Sequence, residues 1–312
     1  MPQCGTEKHI SAPPSYTGPF VAVVVDLDGT ILDDNHRVSD VTKATLYEVA
    51  SCGVHIIIAT GRPREGVAAI EQELNSYFRC NSRVPGRATS LAEVKGFHLV
   101  ASNGARIYNT TGELISAESI DNSVVRAIYE RVMESNINAN SEDSMLVSVH
   151  QTGAWWVNNV LPEEWLRRKY GTLPEVRQNL SDFPTDGVGK ICLRSFNEGT
   201  LRTFQKELDT KYEHYITTVM TSDHCLDIMP KGVSKASALR MVGEILNFEP
   251  HRDAIAFGDS LNDRDMLESV AKGCIMKNGK NELKELLPHV EVVGCNEEDG
   301  VAHKLREVFL LS

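Results

Sequence analysis

An unbroken apolar run at residues 21–25 begins the regular part of the chain. Five small or β-branched residues without a polar break are typical of a strand that is buried on both faces of a parallel sheet. The run ends in two acids separated by one residue, Asp26 and Asp28, followed by Gly29 and Thr30. Because ligands of open α/β sheets bind beyond the carboxyl ends of the strands, the two carboxylates lie where a site is expected.

Apolar strands and amphipathic helices alternate along the first 80 residues. Helical spacing predicts a helix to about residue 51, beginning near residue 40. A second buried strand is predicted over residues 54–59, and it ends in Thr60. Another helix is predicted from residue 63 to about residue 78. This order of strand, helix, strand and helix indicates a doubly wound parallel sheet.

The pattern changes near residue 117, where helices become mixed with hairpin-like strands, which is typical of an α+β unit. The doubly wound pattern resumes with a helix over about 235–246 and a buried strand at 254–257. We therefore predict an α/β fold with a Rossmann-like core and an inserted α+β domain. The predicted parts are a loosely ordered extension at 1–18, a core at 19–116 and 222–312, an insert at 117–221, hinges near 116–118 and 220–222, and an exposed excursion at 79–95.

Composition narrows the class of partner. The 312 residues carry a formal net charge of −11, which disfavours nucleic acid or an anionic membrane surface. The seven cysteines are scattered without a C-x-x-C pair and predict reduced thiols in a reducing compartment. No apolar run approaches the length of a membrane span, and the first 20 residues lack the apolar core of a secretory signal. We expect a cytoplasmic protein with no membrane partner, and the sequence predicts no oligomeric state.

Three predicted strands end in polar groups that a parallel sheet brings to one edge. After the acid pair and Thr60, the third group follows the strand at 254–257 and contains Asp259, Asn262 and Asp263. Carboxylates placed close together raise each other's pKa values, and a divalent cation relieves that repulsion. Oxygen ligands favour Mg²⁺ over zinc. Lys235, at the start of a predicted helix, is placed to supply a fixed positive charge to a phosphate.

Four short motifs connect these residues to a known family. The segments are D-x-D-G-T after the first strand, T-G-R after the second, G-V-S-K before the helix at 235, and G-D-S-x-N-D after the late strand. In this order and context they resemble the haloacid-dehalogenase-like hydrolase superfamily. The S-N-G-A segment at 102–105 and the position of the insert resemble its Cof-type (type IIB) sugar-phosphatase branch. The resemblance extends from about residue 20 to the carboxyl terminus.

The resemblance implies a phosphoric monoester hydrolase that acts on a small phosphorylated metabolite. In it, Asp26 is the nucleophile that forms an aspartyl-phosphate, and Asp28 protonates the leaving oxygen and then activates water. Thr60 and Lys235 hold the phosphoryl oxygens. The implied cofactor is Mg²⁺, and the insert is expected to close over the site as a cap that selects the substrate. The implied metal ligands are Asp26, the main-chain carbonyl of Asp28, Asp259, Asn262 and Asp263.

Four further residues are predicted to contact the substrate. They are Gly29, Gly61, Arg62 and Asn103. Gly29 has no side chain, so the backbone can approach an anion closely. Arg62 is equally suited to an ion pair with a surface acid. Asn103 is equally suited to a turn in the left-handed conformation.

Ordinary structural roles compete with some of the catalytic ones. Thr60 is also a candidate N-cap for the helix that follows, and Asp263 is a candidate cap for its own helix. Lys235 also fits a solvated lysine at the start of a helix. Of the adjacent Trp155 and Trp156, at most one is expected to face a cleft, since neighbouring strand residues point to opposite faces.

Other polar residues are predicted to be solvated or to bind no metal. The basic run at 167–169 is predicted to be a solvated helix face. Three histidines show no metal-ligand spacing: His36, His55 and His224.

Hydrolysis is the predicted reaction, with two alternatives. A phosphomannomutase-like phosphotransferase would return the phosphoryl group to a sugar, and a regulatory module would bind phosphate without turnover. The presence of a nucleophile, an acid–base group and a charge-stabilising set in one chain favours an enzyme over a binding module.

Overall fold

The computed structural model of the protein describes residues 18–81, 94, 96–137, 139–140 and 142–311. Residues 1–17 of the predicted extension at 1–18 and most of the excursion at 79–95 lie outside these residues. In chain order the strands are β1 (Ala22–Val25), β2 (His55–Ala59), β3 (His98–Ala101), β4 (Arg106–Tyr108), β5 (Leu114–Ala117), β6 (Leu146–Gln151), β7 (Ala154–Val157), β8 (Glu175–Val176), β9 (Lys190–Arg194), β10 (Ile216–Ser222), β11 (Cys225–Pro230), β12 (Ala254–Gly258), β13 (Lys272–Ile275) and β14 (Glu291–Val292). The helices are α1 (Asp40–Ser51), α2 (Ala68–Asn81), α3 (Asn122–Ile137), α4 (Glu163–Tyr170), α5 (Glu198–Lys211), α6 (Lys235–Leu246), α7 (Pro250–Asp253), α8 (Arg264–Ser269), α9 (Asn281–Leu286) and α10 (Gly300–Phe309).

The first sheet has the strand order β14-β13-β12-β1-β2-β3-β4-β5. Its strands from β14 to β3 are parallel, and β4 and β5 add an antiparallel edge. β1 lies between β2 and β12, so the ends of the three strands that carry the acid pair, Thr60 and Asp259 are neighbours. The predicted doubly wound parallel sheet is confirmed.

Both faces of β1 are buried under helices. Val23 and Val25 pack in a cluster with α1, α2 and α10, whereas Ala22 and Val24 pack in a second cluster with α6, α8 and α9. This alternation explains why the run at 21–25 contains no polar residue, since neither face of β1 reaches water. The strand is thereby held rigidly at the point where Asp26 follows it.

The second sheet has the strand order β10-β11-β9-β6-β7-β8, and its pairs are antiparallel except for β7 with β8. Helices α3 and α5 cover one face, where Ile191 and Leu193 of β9 are buried. The intervening residues Lys190, Cys192 and Arg194 point to the opposite face, which is turned toward the first sheet. Because strand side chains alternate, β9 separates a core face from a polar face with a period of two.

The return from the insert occurs later than predicted. The expected crossing at 221/222 falls within β10, whose partner β11 belongs to the same sheet. Thus residues 225–230, assigned to the core from the sequence, are strand β11 of the second sheet. The chain reaches α6 of the first unit only after Pro230. The physical reason is the tight turn at residues 223–224, which pairs two consecutive strands as a hairpin rather than separating two domains.

Some elements were not predicted. No helix was predicted at α10, which packs Val301 and Leu305 into the same cluster as α1. Short elements at α7 and β8 were also missed. Within the described residues, every helix is too short or too polar to cross a membrane.

Candidate active site

A cavity of about 280 Å³ lies between the carboxyl ends of β1, β2 and β12 and the polar face of the second sheet. Helix α4 of the insert closes one side of the cavity. Many of the residues predicted for the site line this cavity: Asp26, Asp28, Thr60, Gly61, Arg62, Asp259 and Asn262. The other predicted residues adjoin the lining: Gly29, Asn103, Lys235 and Asp263.

Asp26 forms a buried ion pair with Lys235. The Lys235 ammonium lies 2.6 Å from Oδ1 of Asp26 and 2.6 Å from Oδ1 of Asp263, so it links two carboxylates. Lys235 is the first residue of α6 and is only 1% exposed, which excludes the solvated role. Its position follows from the capping box of Ser234, which fixes the start of α6. Burial opposes the charged form, but Asp26 and Asp263 outweigh it and raise the pKa of Lys235.

Asp263 does not cap α8 with its side chain, which was one of its two predicted alternatives, but closes the turn that precedes the helix. Its Oδ2 accepts hydrogen bonds from the backbone amides of Asp259 and Ser260, each at 3.0 Å. Its Oδ1 accepts from Lys235. Asp263 therefore fixes the turn after β12 and orients Asp259 toward the cavity.

The acidic cluster fits a hard divalent cation. Oxygen atoms of Asp26, Asp259 and Asp263 lie within 4.8 Å of one another. Burial raises the pKa of Asp26 to about 7 and holds the pKa of Asp259 well above its usual range. An all-oxygen donor set with an excess of negative charge is the set that Mg²⁺ prefers. Gly29 fits this arrangement, since a Cβ at that position would lie 2.5 Å from Oδ2 of Asp259.

Asp28 has different surroundings, although it is only two residues from Asp26. Arg62 donates from Nε to Oδ2 at 2.7 Å and from Nη2 to Oδ1 at 2.6 Å, and His36 Nδ1 lies 3.5 Å from Oδ1. Burial raises the pKa of Asp28, but the hydrogen bonds from Arg62 and His36 outweigh burial and hold it well below its usual range. The pKa of Asp26 is thus raised while the pKa of Asp28 is lowered, which is characteristic of paired carboxyl groups with different roles.

Arg62 connects the two halves of the site. Besides Asp28, its guanidinium donates to the carbonyl of Lys169 at 2.5 Å and lies 5.0 Å above the ring of Tyr170, both in α4. It therefore pairs with a site carboxylate rather than with a surface acid. Thr60 is 1% exposed, and its Oγ1 accepts from the Arg62 amide at 3.1 Å. The 3₁₀ turn that follows has no side-chain cap, so Thr60 is not a helix N-cap.

Asn103 adopts the left-handed conformation that was one of its two predicted alternatives, with φ of 56°. Its amide nitrogen donates to Asp227 at 2.8 Å, and its oxygen accepts from Asn262 at 2.9 Å. Asp227 also pairs with Lys190, whose ammonium donates to the Gly61 carbonyl at 2.9 Å. This network commits the side chain of Asn103 to tying the insert to the first sheet.

The insert contributes a wall of the cavity that was not predicted from the sequence. Trp155 faces the cavity and lies edge-on to Tyr170 with ring centroids 4.8 Å apart, whereas Trp156 packs into the core under the second sheet. This placement agrees with the prediction that at most one of the two tryptophans faces the cleft. The prediction for the basic run is wrong for Lys169, which lines the cavity 4.0 Å from Asp28, although its two neighbours in the run are exposed.

Two cysteines of this wall face each other. Sγ of Cys192 lies 3.2 Å from Sγ of Cys225, on neighbouring strands β9 and β11. The hydrogen bond with Cys192 lowers the pKa of Cys225 to about 7, against the opposing effect of burial. The period-two alternation of polar and apolar residues over 190–194 is the signal that would have revealed this face.

The arrangement combines the parts that phosphoryl transfer requires. A carboxylate on a rigid strand end has a buried lysine on one side and an oxygen donor set for a cation on the other. A second carboxylate with its own arginine is two residues away. The cavity between them is partly covered by a separate unit. Positioning and charge stabilisation supply most of the catalysis in this type of reaction.

Comparisons with known proteins agree with this chemistry. The family model described as haloacid dehalogenase-like hydrolase matches residues 23–305. A putative phosphatase of Haemophilus influenzae is 32% identical over 93% of this chain and 97% of its own length. An HMP-PP phosphatase of Serratia proteamaculans is 28% identical over 90% of this chain and 92% of its own.

A solved structure has the same fold. A putative HAD/Cof-like hydrolase of Plasmodium vivax, 18% identical, superposes with a TM-score of 0.75 over 95% of this chain and 98% of its own. The family match covers most of the chain, which confirms the resemblance deduced from the four motifs. The protein belongs to the haloacid dehalogenase-like hydrolase family and is an enzyme of the phosphatase class.

Proposed function

We propose that the protein is a Mg²⁺-dependent phosphatase that hydrolyses small phosphorylated metabolites, sugar phosphates in particular, through an aspartyl-phosphate on Asp26. The observation that carries the proposal is the position of the Asp26 carboxylate at the end of a fully buried strand. There it lies between the ammonium of Lys235 and the acidic cluster with Asp259. A cytoplasmic location remains part of the proposal.

In the first step, a carboxylate oxygen of Asp26 bonds to phosphorus and the bond to the leaving oxygen breaks. Asp28 donates the proton that the leaving oxygen needs. Thr60 and Lys235 hold the phosphoryl oxygens while Arg62 releases Asp28. The proposed cation ligands are Asp26, the Asp28 carbonyl, Asp259 and Asn262, supported by Asp263. When bound, the cation offsets the charge that develops on the phosphoryl oxygens.

In the second step, Asp28 accepts a proton from a water molecule, which attacks phosphorus and regenerates the Asp26 carboxylate. Lys169 and Tyr170, on α4, cover the cavity and limit the access of other water molecules. We propose that residues 117–230 act as the cap that opens and closes over this step. The proposed hinges lie near residue 117 and just after residue 230.

Phosphate release from p-nitrophenyl phosphate and a panel of sugar phosphates tests the proposal. We expect release with Mg²⁺, none with EDTA, and a loss of at least a thousandfold in Asp26→Asn, because the nucleophile is removed. Asp34→Asn is the matched control, since Asp34 is exposed in the loop after the same motif. Acid-quenched protein should carry a phosphoryl group on the peptide that contains Asp26.

Three results would contradict the proposal at different points. Absence of metal-dependent phosphate release by the wild type would refute the proposed phosphatase activity. Phosphate release that persists in Asp26→Asn would refute the covalent mechanism. Transfer of the phosphoryl group to an added sugar phosphate, in preference to water, would instead identify a phosphotransferase.

A further inference from the structure

Arg194 is a cation that the proposed reaction does not use. It is the last residue of β9, on the polar face that also carries Lys190 and Cys192, and it lines the cavity. The alternate residues Ile191 and Leu193 are buried in the cap core, which fixes the direction of the Arg194 side chain. Arg194 therefore faces the substrate cavity from the side opposite the strand ends.

The Arg194 guanidinium has no hydrogen bond or ion pair from its side chain to any of the residues that the structure describes. Arg194 itself is partly buried, and two buried cations of the cavity wall are paired, Arg62 with Asp28 and Lys190 with Asp227. A guanidinium has five N–H donors, and removing such a charge from water without a partner is costly. An anion within the cavity would supply the missing partner.

Lys169 adds a second positive charge to the same wall. Its ammonium lies 5.5 Å from the ring centroids of both Trp165 and Tyr170, and 4.0 Å from Asp28. Asp28 is already bound at both oxygens by Arg62, so it satisfies Lys169 only weakly. Two cap elements, β9 and α4, thus present cationic groups to one cavity with no carboxylate of their own to neutralise them.

We propose that Arg194 and Lys169 form a second anion-binding subsite, and that the preferred substrates carry a second anionic group, phosphate or carboxylate, besides the phosphoryl group transferred to Asp26. This inference rests on the proposed function, because it concerns the substrate of the same cavity. Trp155 and Tyr170 lie beside the subsite and cover the apolar body of a substrate that spans the cavity. Arg194 binds the second group through a bidentate contact, and Lys169 adds a point charge.

Paired substrates that differ only by one anionic group provide the test. The phosphate pair is fructose 1,6-bisphosphate and fructose 6-phosphate, and the carboxylate pair is 3-phosphoglycerate and glycerol 3-phosphate. We expect the wild type to prefer the doubly anionic member of at least one pair by about tenfold or more in kcat/KM. A preference within the first pair indicates that the subsite binds a second phosphate, and a preference within the second pair indicates a carboxylate.

Substitutions test whether Arg194 causes this preference. Arg194→Gln should lower the ratio of kcat/KM values within the preferred pair by about 10- to 100-fold, the range for loss of a charged hydrogen bond. Arg194→Lys should retain part of the ratio. Arg168→Gln is the control. Arg168 is exposed on α4 outside the cavity, and its substitution removes the same positive charge from the cap. Thermal unfolding of each variant establishes that it is folded.

A wild type without preference in both pairs overturns the inference, as does an equal effect of Arg194→Gln on both members of a pair. Failure of the proposed function is seen separately, as absence of metal-dependent hydrolysis of p-nitrophenyl phosphate. In that event the same pairs are compared by calorimetric binding to wild type and Arg194→Gln. If the wild type binds the member with two anionic groups more tightly and Arg194→Gln does not, the result supports the subsite. Equal binding of both members by the wild type refutes it.

Discussion

Arg62 binds both carboxylate oxygens of Asp28, from Nε at 2.7 Å and from Nη2 at 2.6 Å, while its remaining nitrogen contacts the carbonyl of Lys169 in the cap. This contact keeps Asp28 ionised, with a pKa well below its usual range, although its proposed role requires it to donate a proton. It follows that Arg62 must move away from Asp28 when a substrate enters. The arginine thereby connects cap position to the protonation of the acid–base group.

Arg62→Lys tests this connection. A lysine cannot donate along two parallel directions, so Asp28 loses its bidentate partner and the cap loses a contact. We expect kcat/KM to fall by about tenfold or more, since loss of the charged hydrogen bond to the Lys169 carbonyl of the cap costs roughly 1.5–3 kcal/mol. Steady-state kinetics over a pH series measures the effect. Arg64→Lys is the control, because Arg64 stacks on Tyr108 away from the cavity; equal losses in both variants would refute the connection.

Lys235→Met is expected to destabilise the fold. The substitution leaves the buried carboxylates of Asp26 and Asp263 without their shared cation. Breaking a buried pair costs roughly 3–5 kcal/mol, and we expect a loss of about 3 kcal/mol in the free energy of unfolding at pH 8. Urea denaturation in EDTA measures it. Lys231→Met, an exposed lysine four residues earlier, should change the free energy by less than about 0.5 kcal/mol.

The stability of Lys235→Met should depend on pH in a predictable direction. Burial raises the folded-state pKa of Asp26 to about 7 even with Lys235 present, which is above its value of about 3.9 in the unfolded chain. A group of this kind destabilises the folded state where it is ionised, so the penalty is present above the folded-state pKa and diminishes as the pH falls below it. Lys235→Met should therefore regain stability between pH 8 and pH 5. A constant deficit over that interval would contradict the assignment.

Gly29→Ala separates backbone strain from steric displacement. Both Gly29 and Gly53 have positive φ, 76° and 87°, so alanine at either position costs roughly 1–2 kcal/mol. Only at Gly29 would the new Cβ meet another residue, Oδ2 of Asp259 at 2.5 Å, whereas nothing lies within 4 Å at Gly53. We expect both variants to lose similar stability, but only Gly29→Ala to lose Mg²⁺ affinity, by about tenfold or more. Calorimetric Mg²⁺ titration of the two proteins decides it, and equal affinities would contradict the placement of Asp259 in the cation site.

Cys225 is expected to react at neutral pH. Because the bond with Cys192 lowers the pKa of Cys225 to about 7, iodoacetamide should label it with half-maximal rate near pH 7. Cys274, whose pKa burial raises to about 12, should stay unlabelled. Cys192→Ala removes the donor and should move the midpoint toward about 8.5, whereas Cys192→Ser keeps a donor and should move it less. Peptide mapping of the labelled protein identifies the site, and identical midpoints in the two variants would exclude the thiol bond as the cause.

The strand-end part of the site could be predicted because its information is local. Each motif follows an apolar run that already predicts a buried strand, as with Asp26 after β1, and parallel strands bring their carboxyl ends to one edge. Three separate segments were thus placed together without any knowledge of contacts. The bidentate pairing of Arg62 with Asp28 could not be predicted, because it depends on the distance between two neighbouring strand ends.

The cap contribution was harder to predict for a physical reason. Lys190 and Arg194 have no motif, and their importance comes from which face of β9 is turned toward the core domain. Lys169 looks like its exposed neighbours along the sequence, but it lies at the edge of α4 that meets the cavity. The domain return was placed too early because β10 and β11 are each ordinary strands, and only their pairing reveals the sheet to which they belong.

The two faces of β9 have a consequence for how this enzyme can change. Positions 190, 192 and 194 contact the cavity, while positions 191 and 193 hold the cap together. Lys190 is held by Asp227 and by the Gly61 carbonyl, so it is variation at positions 192 and 194 that should alter what the cavity accepts without disturbing the packing beneath it. We therefore expect a library randomised only at positions 192 and 194 to yield folded proteins with altered substrate selectivity.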